Sequence, residues 1–446
     1  MTRISLVALA LLVAAPLARG ATQTASTCSK ADVDAAISRA ADGDTVRIPA
    51  GNCSWSSSVS TTKGISIIGN GIGSTVIANG GFRMDAPSGK VWRVSGMTVT
   101  GTGGVSVEGY AKGWRVDHIK FDNVSGFAAG RIIWINPSEG GYTTGLVDHV
   151  EFNAPKSIQV HVREQRGGGN DSYLRPLGLG GTDAIYIEDS IFFHPTLNTS
   201  SPVTDCEGGG RFVFRHNVVT NAYMEMHDAI IDQLRSCRKW EFYDNTFRLT
   251  GAGGSPAGNL QGQCALIAMR GGTGATFNNK FEQLPDCGAM LLDLYRTYQT
   301  AGDPWNARCS TSTGKACLNS ASAMPKTCSS DASCGGAAGS CVNIDGPGTS
   351  PSGYPCRDQI GTDGNSPQVS APALFWNNTY NSQQIAPQVN SGNSYLVKGR
   401  DFCDGGASKP ASCNGVTTTY QPLAYPHPLA TDAPRPKPPT TVSVSQ

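Results

Sequence analysis

Four short segments combine ionisable side chains with a strict alternation of apolar residues. The segments are VHVR (160–163), MEMH (224–227), IAMR (267–270) and LDLY (292–295). Asp228 directly follows the second segment, and Arg296 directly follows the fourth. In a β-strand, alternate residues point to opposite faces, so the first and third residue of each segment would be buried. The segments therefore predict that acids, histidines and arginines share one outward sheet face.

Stacking the four segments as neighbouring parallel strands aligns the outward side chains into two columns. The predicted columns are His161, Glu225, Ala268 and Asp293, and then Arg163, His227, Arg270 and Tyr295. Neighbouring strands lie about 4.8 Å apart, which brings these groups within reach of one another. An ordinary solvated, salt-bridged face is the alternative. The density of charge argues against it, because only 15% of the residues in this chain are charged.

Such a face suits cleavage of an acidic polysaccharide by β-elimination. The reaction needs a cation for the uronate carboxylate, a base for the C5 proton and an acid for the leaving oxygen. The predicted face offers side chains for each role. Arg163, Arg270, Arg296 and Asp228 would bind substrate, and Asp293 with Glu225 would supply oxygen ligands for Ca²⁺. His161 or His227 would be the base and Tyr295 the acid. Hydrolysis is the alternative chemistry, with Glu225 paired with Asp228 or Asp293.

Other histidines and acids belong to a repeat of six residues. The copies are VDHIKF (116–121), VDHVEF (147–152), IEDSIF (187–192), FRHNVV (214–219), FYDNTF (242–247), TFNNKF (276–281) and FWNNTY (375–380). Their third position predicts a left-handed bend between short strands, and the later copies place Asn at the fourth. We therefore expect structural roles for His118, His149, Asp189, His216, Asp244, Asn278 and Asn377, and an amide ladder at Asn217, Asn245, Asn279 and Asn378.

The composition indicates an exported chain. Residues 1–20 have the charged start, apolar centre and small-residue end of a signal peptide, and the 14 cysteines are an even number. The cysteine spacing favours the pairs Cys28–Cys53, Cys206–Cys237, Cys264–Cys287 and Cys403–Cys413. A net charge of +1 argues against a nucleic-acid partner, and the lack of a long apolar run after residue 20 argues against a membrane partner. We also expect a monomer.

The domain layout follows from the same patterns. Residues 21–300 would form the repeat region, which a short helix at its start would cap. Residues 301–370 read as a Cys-rich, disulfide-tied insertion, and residues 371–430 as the final coil with a C-terminal cover lying on it. The Pro- and Thr-rich residues 431–446 would form a disordered tail.

The chain resembles the right-handed parallel β-helix proteins of the pectate-lyase-like superfamily. GDTVRIPAG (43–51), GISIIGNG (64–71) and the turns DNTF, NNKF and NNTY (244–247, 278–281, 377–380) carry this resemblance. It implies an all-β solenoid with an N-terminal capping helix, and a lyase that uses an Arg base with Ca²⁺, a role that maps to Arg270. Because the fold also hosts other activities, a non-catalytic carbohydrate-binding or adhesive protein is the alternative from another class.

Overall fold

The structure is a computed structural model, and part of the chain is described. The described residues are 20–138, 141–164, 169–197, 201–229, 235–250, 265–284, 288–293, 315–317, 329–334, 336, 341–343, 358–364, 369–390 and 396–430. The predicted signal peptide, apart from residue 20, and the predicted tail at 431–446 lie outside these ranges. None of the helices in them has the length and apolar character needed to span a bilayer.

The protein is mostly β, with two long, almost entirely parallel sheets. The smaller, named the polar sheet here, has ten strands: Val59–Thr61, Phe82–Met84, Val105–Val107, Arg131–Ile135, Ile158–Arg163, Thr204–Glu207, Met224–Met226, Ile267–Met269, Met290–Leu292 and Gln388–Val389. The larger, named the corner sheet, has 21: Thr22–Thr24, Thr45–Arg47, Gly51–Ser54, Ser66–Ile68, Thr75–Ala78, Arg93–Thr100, Lys112–Asp122, Thr144–Asp148, Glu151–Asn153, Ile185–Glu188, Ile191–Phe193, Arg211–Arg215, Val218–Thr220, Lys239–Tyr243, Thr246–Arg248, Thr273–Phe277, Lys280–Phe281, Ala373–Trp376, Thr379–Tyr380, Gln383–Gln384 and Phe402–Asp404.

The remaining described elements are short. Three antiparallel pairs join Lys315–Cys317 to Cys341–Asn343, Thr362–Asp363 to Val369–Ser370, and Ser412–Cys413 to Val416–Thr417. The α-helices are Lys30–Arg39 and Asn170–Leu174, and the 3-10 helices are Ala128–Gly130, Asp331–Cys334 and Pro428–Ala430.

The predicted repeats stack in register. The first residues of the seven copies pair in sequence: Val116, Val147, Ile187, Phe214, Phe242, Thr276 and Phe375. We use the word rung for the set of strands from one repeat copy, which pairs in parallel with the set from the next copy along the chain. Their inward side chains also stack, with ring centroids 5.0 Å apart for Phe121 and Phe152 and again for Phe152 and Phe192. Like residues on successive rungs thus build one apolar core between the sheets.

The bends of the corner sheet confirm the structural role predicted for the third position. All seven predicted residues, from His118 to Asn377, have φ between 48° and 56°. In the fourth position, Asn245 accepts from the backbone N–H of Asn217 at 3.0 Å, and its own side-chain amide donates to Asn279 at 2.9 Å. Asn279 donates in the same way to Asn378 at 2.9 Å. The amide ladder satisfies backbone groups that the bend would otherwise leave unpaired.

The helix Lys30–Arg39 lies at the N-terminal end, as predicted. Its N-cap Ser29 accepts from the backbone N–H of Asp32, which satisfies one of the first free donors of the helix. The side chains of Val33, Ala36 and Ile37 are buried, and the helix contacts the strands Thr22–Thr24 and Thr45–Arg47. Its apolar face therefore covers the first rung.

Three of the predicted disulfides are present: Cys28–Cys53, Cys206–Cys237 and Cys403–Cys413. The cysteines of the predicted pair Cys264–Cys287 lie outside the described residues. In the Cys-rich insertion, Cys334 and Cys341 each take part in a disulfide, as expected of a segment tied by its bridges.

The C-terminal segment covers more than the final coil on which it was predicted to lie. Tyr420 packs on Trp376 of the last repeat copy, with ring centroids 5.9 Å apart, and residues 420–430 run from there along the outer face of the corner sheet. Arg215 donates to the carbonyl of Leu423 at 2.7 Å, and Arg115 to that of Leu429 at 3.0 Å. The segment takes this path because buried charges on several rungs need its backbone as a partner.

Candidate functional site

The outward face of the polar sheet carries the groups predicted to do chemistry. In register along the sheet, its first column is Ser106, Trp134, His161, Asp205, Glu225, Ala268 and Leu291. The strand Thr204–Glu207 lies between the strands of His161 and Glu225 and was not predicted. Its two outward acids, Asp205 and Glu207, are the functional candidates that the sequence analysis missed.

Asp293 lies in the other column from the one predicted. Met290 pairs with Ile267 and Leu291 with Ala268, so the strand is shifted by two residues from the predicted alignment. The backbone N–H of Asp293 donates to the carbonyl of Met269, which places Asp293 on the rung after Arg270. The predicted acid Tyr295 and the predicted carboxylate-binding Arg296 lie outside the described residues.

Two carboxylates lie between the two histidines. His161 Nε2 is 3.0 Å from Glu207 Oε1 and 3.6 Å from Asp205 Oδ2. His227 Nε2 is 3.3 Å from Asp205 Oδ1 and 3.2 Å from Glu225 Oε1, and its Nδ1 is 3.4 Å from Glu207 Oε2. The structure therefore brings His161, His227 and Glu225 together, as predicted, but through Asp205 and Glu207.

Two arginines complete this group, which we call the polar cluster: His161, Arg163, Asp205, Glu207, Glu225, His227 and Arg270. Arg163 Nε donates to Glu207 Oε1 at 2.8 Å, and Arg270 donates to Glu225. Asp228, which directly follows the cluster in the chain, is fully buried, and its charge acts on Arg270. Each arginine therefore already has a carboxylate partner on a neighbouring rung.

The environment fixes the charges of the cluster. Burial on its own would lower the pKa of His227, but the carboxylates of Asp205, Glu225 and Glu207 raise it to about 9. Burial likewise opposes ionisation of Glu207, yet its bonds to the two histidines hold its pKa below the ordinary value. For Arg270, the surrounding carboxylates outweigh burial and raise the pKa. His227 is therefore cationic and Glu207 anionic at neutral pH.

The cluster is buried rather than solvent-facing, which corrects the sequence analysis. The relative exposure of His161 is 0% and that of His227 is 8%, with Asp205, Glu225 and Arg270 between them. Only Arg163 remains half-exposed. Alternation identifies the face of a sheet, but not what packs on that face. The mutual ion pairs of the cluster compensate the cost of removing these charges from water.

Some polar atoms at the cluster have no protein partner. Among the described residues, neither Nδ1 of His161 nor Nε of Arg270 makes a hydrogen bond. The hydroxyl of Tyr223 is also buried and unpaired within that part of the chain, and Tyr223 alternates with Glu225 and His227 on the same face. Unpaired buried polar atoms are costly, and each of these three has a hydrogen-bonding capacity that no described residue uses.

Glu225 and Asp293, the residues predicted to hold Ca²⁺, lie in different columns of the polar sheet. Glu225 already contacts the cations Arg270 and His227, while Asp293 lies in the other column. In the described ranges, no group of three or more His, Cys, Asp or Glu residues is arranged to hold a metal ion.

Comparisons with known proteins add little to this geometry. No protein-family model matches the sequence, and no curated protein matches it significantly. Among solved structures, the crystal structure of an alginate lyase from Paenibacillus sp. str. FPU-7 matches with a TM-score of 0.36 and 12% identity, covering 61% of this chain and 97% of that chain. A TM-score of 0.36 is too low to support an inference about this chain.

Proposed function

We propose that this chain is an exported polysaccharide lyase with a right-handed parallel β-helix fold, which cleaves an acidic polymer by β-elimination. The observation that carries the proposal is the polar cluster, where a base, an acid and a cation for a carboxylate lie within four successive rungs. The in-register stacking of the rungs supports the β-helix, and the disulfides support export.

His161 is the proposed base. Ionised Glu207 can only accept hydrogen bonds, so the bond between them places the proton of the neutral imidazole on Nε2. The lone pair then lies on Nδ1, which is the atom without a partner among the described residues. Glu207 is thus a positioning residue that prepares His161 to accept a proton.

His227 is the proposed acid. In the elimination, Nδ1 of His161 takes the C5 proton, and the electrons of the C5–H bond form the C4=C5 double bond. The bond from C4 to the glycosidic oxygen breaks, and that oxygen takes a proton from the His227 imidazolium. A pKa raised to about 9 keeps His227 protonated at neutral pH, as this role requires.

Arg270 is assigned to the uronate carboxylate rather than to proton abstraction, the role that the resemblance implied. Its raised pKa favours the cationic form, which is the form that neutralises a carboxylate and makes the C5 proton more acidic. Glu225 and Asp228 maintain that charge, and Arg163 supplies a second, more accessible cation. No step in this proposal uses a metal ion.

Two other functions each have an observation in their favour. Asp205, Glu207 and Glu225 all surround His227, and paired carboxylates are what a glycoside hydrolase uses. The burial and mutual pairing of the cluster favour a structural role for it, as in a protein that binds carbohydrate on another surface without cleaving it. The elimination proposal also requires that substrate reach His161, whose side chain is fully buried.

One experiment separates the three functions. The mature protein is incubated with polygalacturonate, alginate, hyaluronate and a neutral glucan, and each mixture is followed by ultraviolet absorbance and by reducing-end release. A lyase produces both signals on an acidic polymer, because the new C4=C5 bond absorbs. Reducing ends without absorbance indicate hydrolysis, and neither signal on any polymer contradicts catalysis.

A further inference from the structure

The outward face of the polar sheet continues past the polar cluster to a tryptophan that the sequence analysis did not single out. Trp134 pairs with His161 on one side and with Ser106 on the other, so it lies in the same column, one rung before the proposed base. Its neighbours Ile133 and Ile135 are fully buried in the core. Alternation therefore directs the indole of Trp134 outward.

Trp134 is more accessible than the cluster that it adjoins. It is half-exposed, whereas His161, Asp205 and Glu225 in the same column are buried. Its indole N–H is buried and has no hydrogen-bond acceptor among the residues that the structure describes, so the accessible part of the side chain is the ring. A large aromatic face beside polar groups is typical of a surface that binds a ligand with both apolar and polar faces.

Charges around Trp134 favour an acidic ligand. Arg163 lies one rung further on in the second column, and Arg83 lies two rungs back in the column of Trp134 itself. Both guanidinium groups are partly exposed, although Glu207 and Glu108 pair with them. A uronic sugar combines a C–H face that stacks on an aromatic ring with a carboxylate that an arginine binds.

We propose that Trp134 forms a sugar-stacking subsite next to the polar cluster and that an acidic polymer lies along the stack of rungs. This inference rests on the proposed function for the identity of the polymer. Rungs are about 4.8 Å apart, and an extended polysaccharide advances by roughly one rung for each sugar. A sugar stacked on Trp134 therefore places its neighbour at His161 and Arg163.

Binding tests this subsite independently of catalysis. The probes are tetrauronides prepared from polygalacturonate and from alginate, and their affinity is measured by calorimetry in a His161→Gln background, where turnover is blocked. Trp134→Ala should weaken binding at least about tenfold, as expected for loss of a central aromatic contact. Trp134→Phe, which retains a ring, should lose only a few-fold. Tyr380→Ala, at a half-buried aromatic on the corner sheet, should bind as the parent does.

The outcomes distinguish this inference from the proposed function. In an otherwise wild-type chain, Trp134→Ala should raise KM more than it lowers kcat, because the contact is made equally in ground and transition states. Unchanged affinity and KM in folded Trp134→Ala would overturn the subsite and leave the lyase intact. Tetrauronide binding that depends on Trp134, in a protein that cleaves no polymer, would support the subsite and overturn the lyase.

Discussion

The bends of the corner sheet and the cluster on the polar sheet are both stacks of polar side chains, but they differ in how those side chains repeat. At the bends, asparagine follows asparagine from Asn217 to Asn378, and each side-chain amide bonds to the next at 2.9 to 3.3 Å. In the cluster, His161, Asp205 and Glu225 follow one another in a single column. Identical residues on successive rungs satisfy one another's hydrogen bonds, whereas the unlike residues of the cluster leave buried polar atoms without a partner among the described residues.

The comparison shows how to separate structural from chemical histidines in a repeating fold. His216 lies at a bend, where its φ of 55° matches that of its counterparts on other rungs. His161, in contrast, has Trp134 and Asp205 as its neighbours on the adjacent rungs, so no histidine repeats at its position. Departure from the repeat, rather than residue type, therefore marks the candidate site.

Arg270→Lys should produce the largest effect, and that effect should be on activity. Lysine retains the charge that pairs with Glu225 but loses the planar fork that binds a carboxylate, so kcat/KM should fall by about 10²–10³-fold. The measurement is the rate of double-bond formation, with the melting temperature as a check on folding. Arg248→Lys is the matched control, since Arg248 pairs with Glu282 on the exposed side of the corner sheet. Equal rates for both variants would contradict the role of Arg270.

Asn245→Ala should affect stability instead. Asn245 bonds to Asn217, to Asn279 and to the carbonyl of Phe214, so its loss leaves buried groups unpaired on both neighbouring rungs. The free energy of unfolding should fall by about 2–3 kcal/mol, measured by chemical denaturation, while activity per folded molecule is retained.

The matched control for the ladder is Asn278→Gly. Asn278 is the exposed neighbour of Asn279 with a φ of 56°, which glycine adopts readily, so we expect a loss below about 1 kcal/mol. A larger loss at Asn278 than at Asn245 would show that the bend, not the amide ladder, stabilises the rungs.

The pH dependence that His227 confers on the cluster should be a smaller effect. The pKa of His227 is raised to about 9 by Asp205, Glu225 and Glu207, against burial and Arg270. Because the ordinary pKa of histidine is about 6.5, protonated His227 contributes to the free energy of unfolding. This contribution is fully present below pH 6.5 and is lost as pH rises through about 9.

Activity should fall over the same range if protonated His227 is the acid. His227→Gln should remove the alkaline limb from both the pH–rate profile and the pH–stability profile. An alkaline limb that persists in a folded, active His227→Gln variant would assign that titration to another group.

Chelation should have the smallest effect. Glu225 is held by Arg270 and His227, so we expect a chelator to leave the rate of elimination unchanged. A fall in rate that added Ca²⁺ restores would show that the carboxylates of the cluster exchange these partners for a metal ion.

The sequence predicted the rungs and bends well because they repeat. It located the outward face through alternation in VHVR and MEMH, but not the strand Thr204–Glu207, whose inward residues are the small Thr204 and the disulfide-bonded Cys206. Without a large apolar residue at an inward position, that strand has no hydrophobic alternation to detect.

The errors at the end of the sheet have a related cause. A strand shifted by two residues keeps the same residues on the same face, so alternation could not show that Asp293 belongs beside Arg270. Nor could it show that the face is buried, because burial depends on contacts between residues far apart in the chain.

The assignment of His161 as the base is tested most directly by the activity of two histidine variants measured side by side. His161→Gln retains a donor to Glu207 but has no basic nitrogen to take the C5 proton, and we predict that its rate on an acidic polymer falls by about 10²–10⁴-fold. His216→Asn retains a residue that tolerates the left-handed bend, and its rate should equal that of wild type. The reverse result, with activity lost in His216→Asn and kept in His161→Gln, would contradict the roles of both histidines.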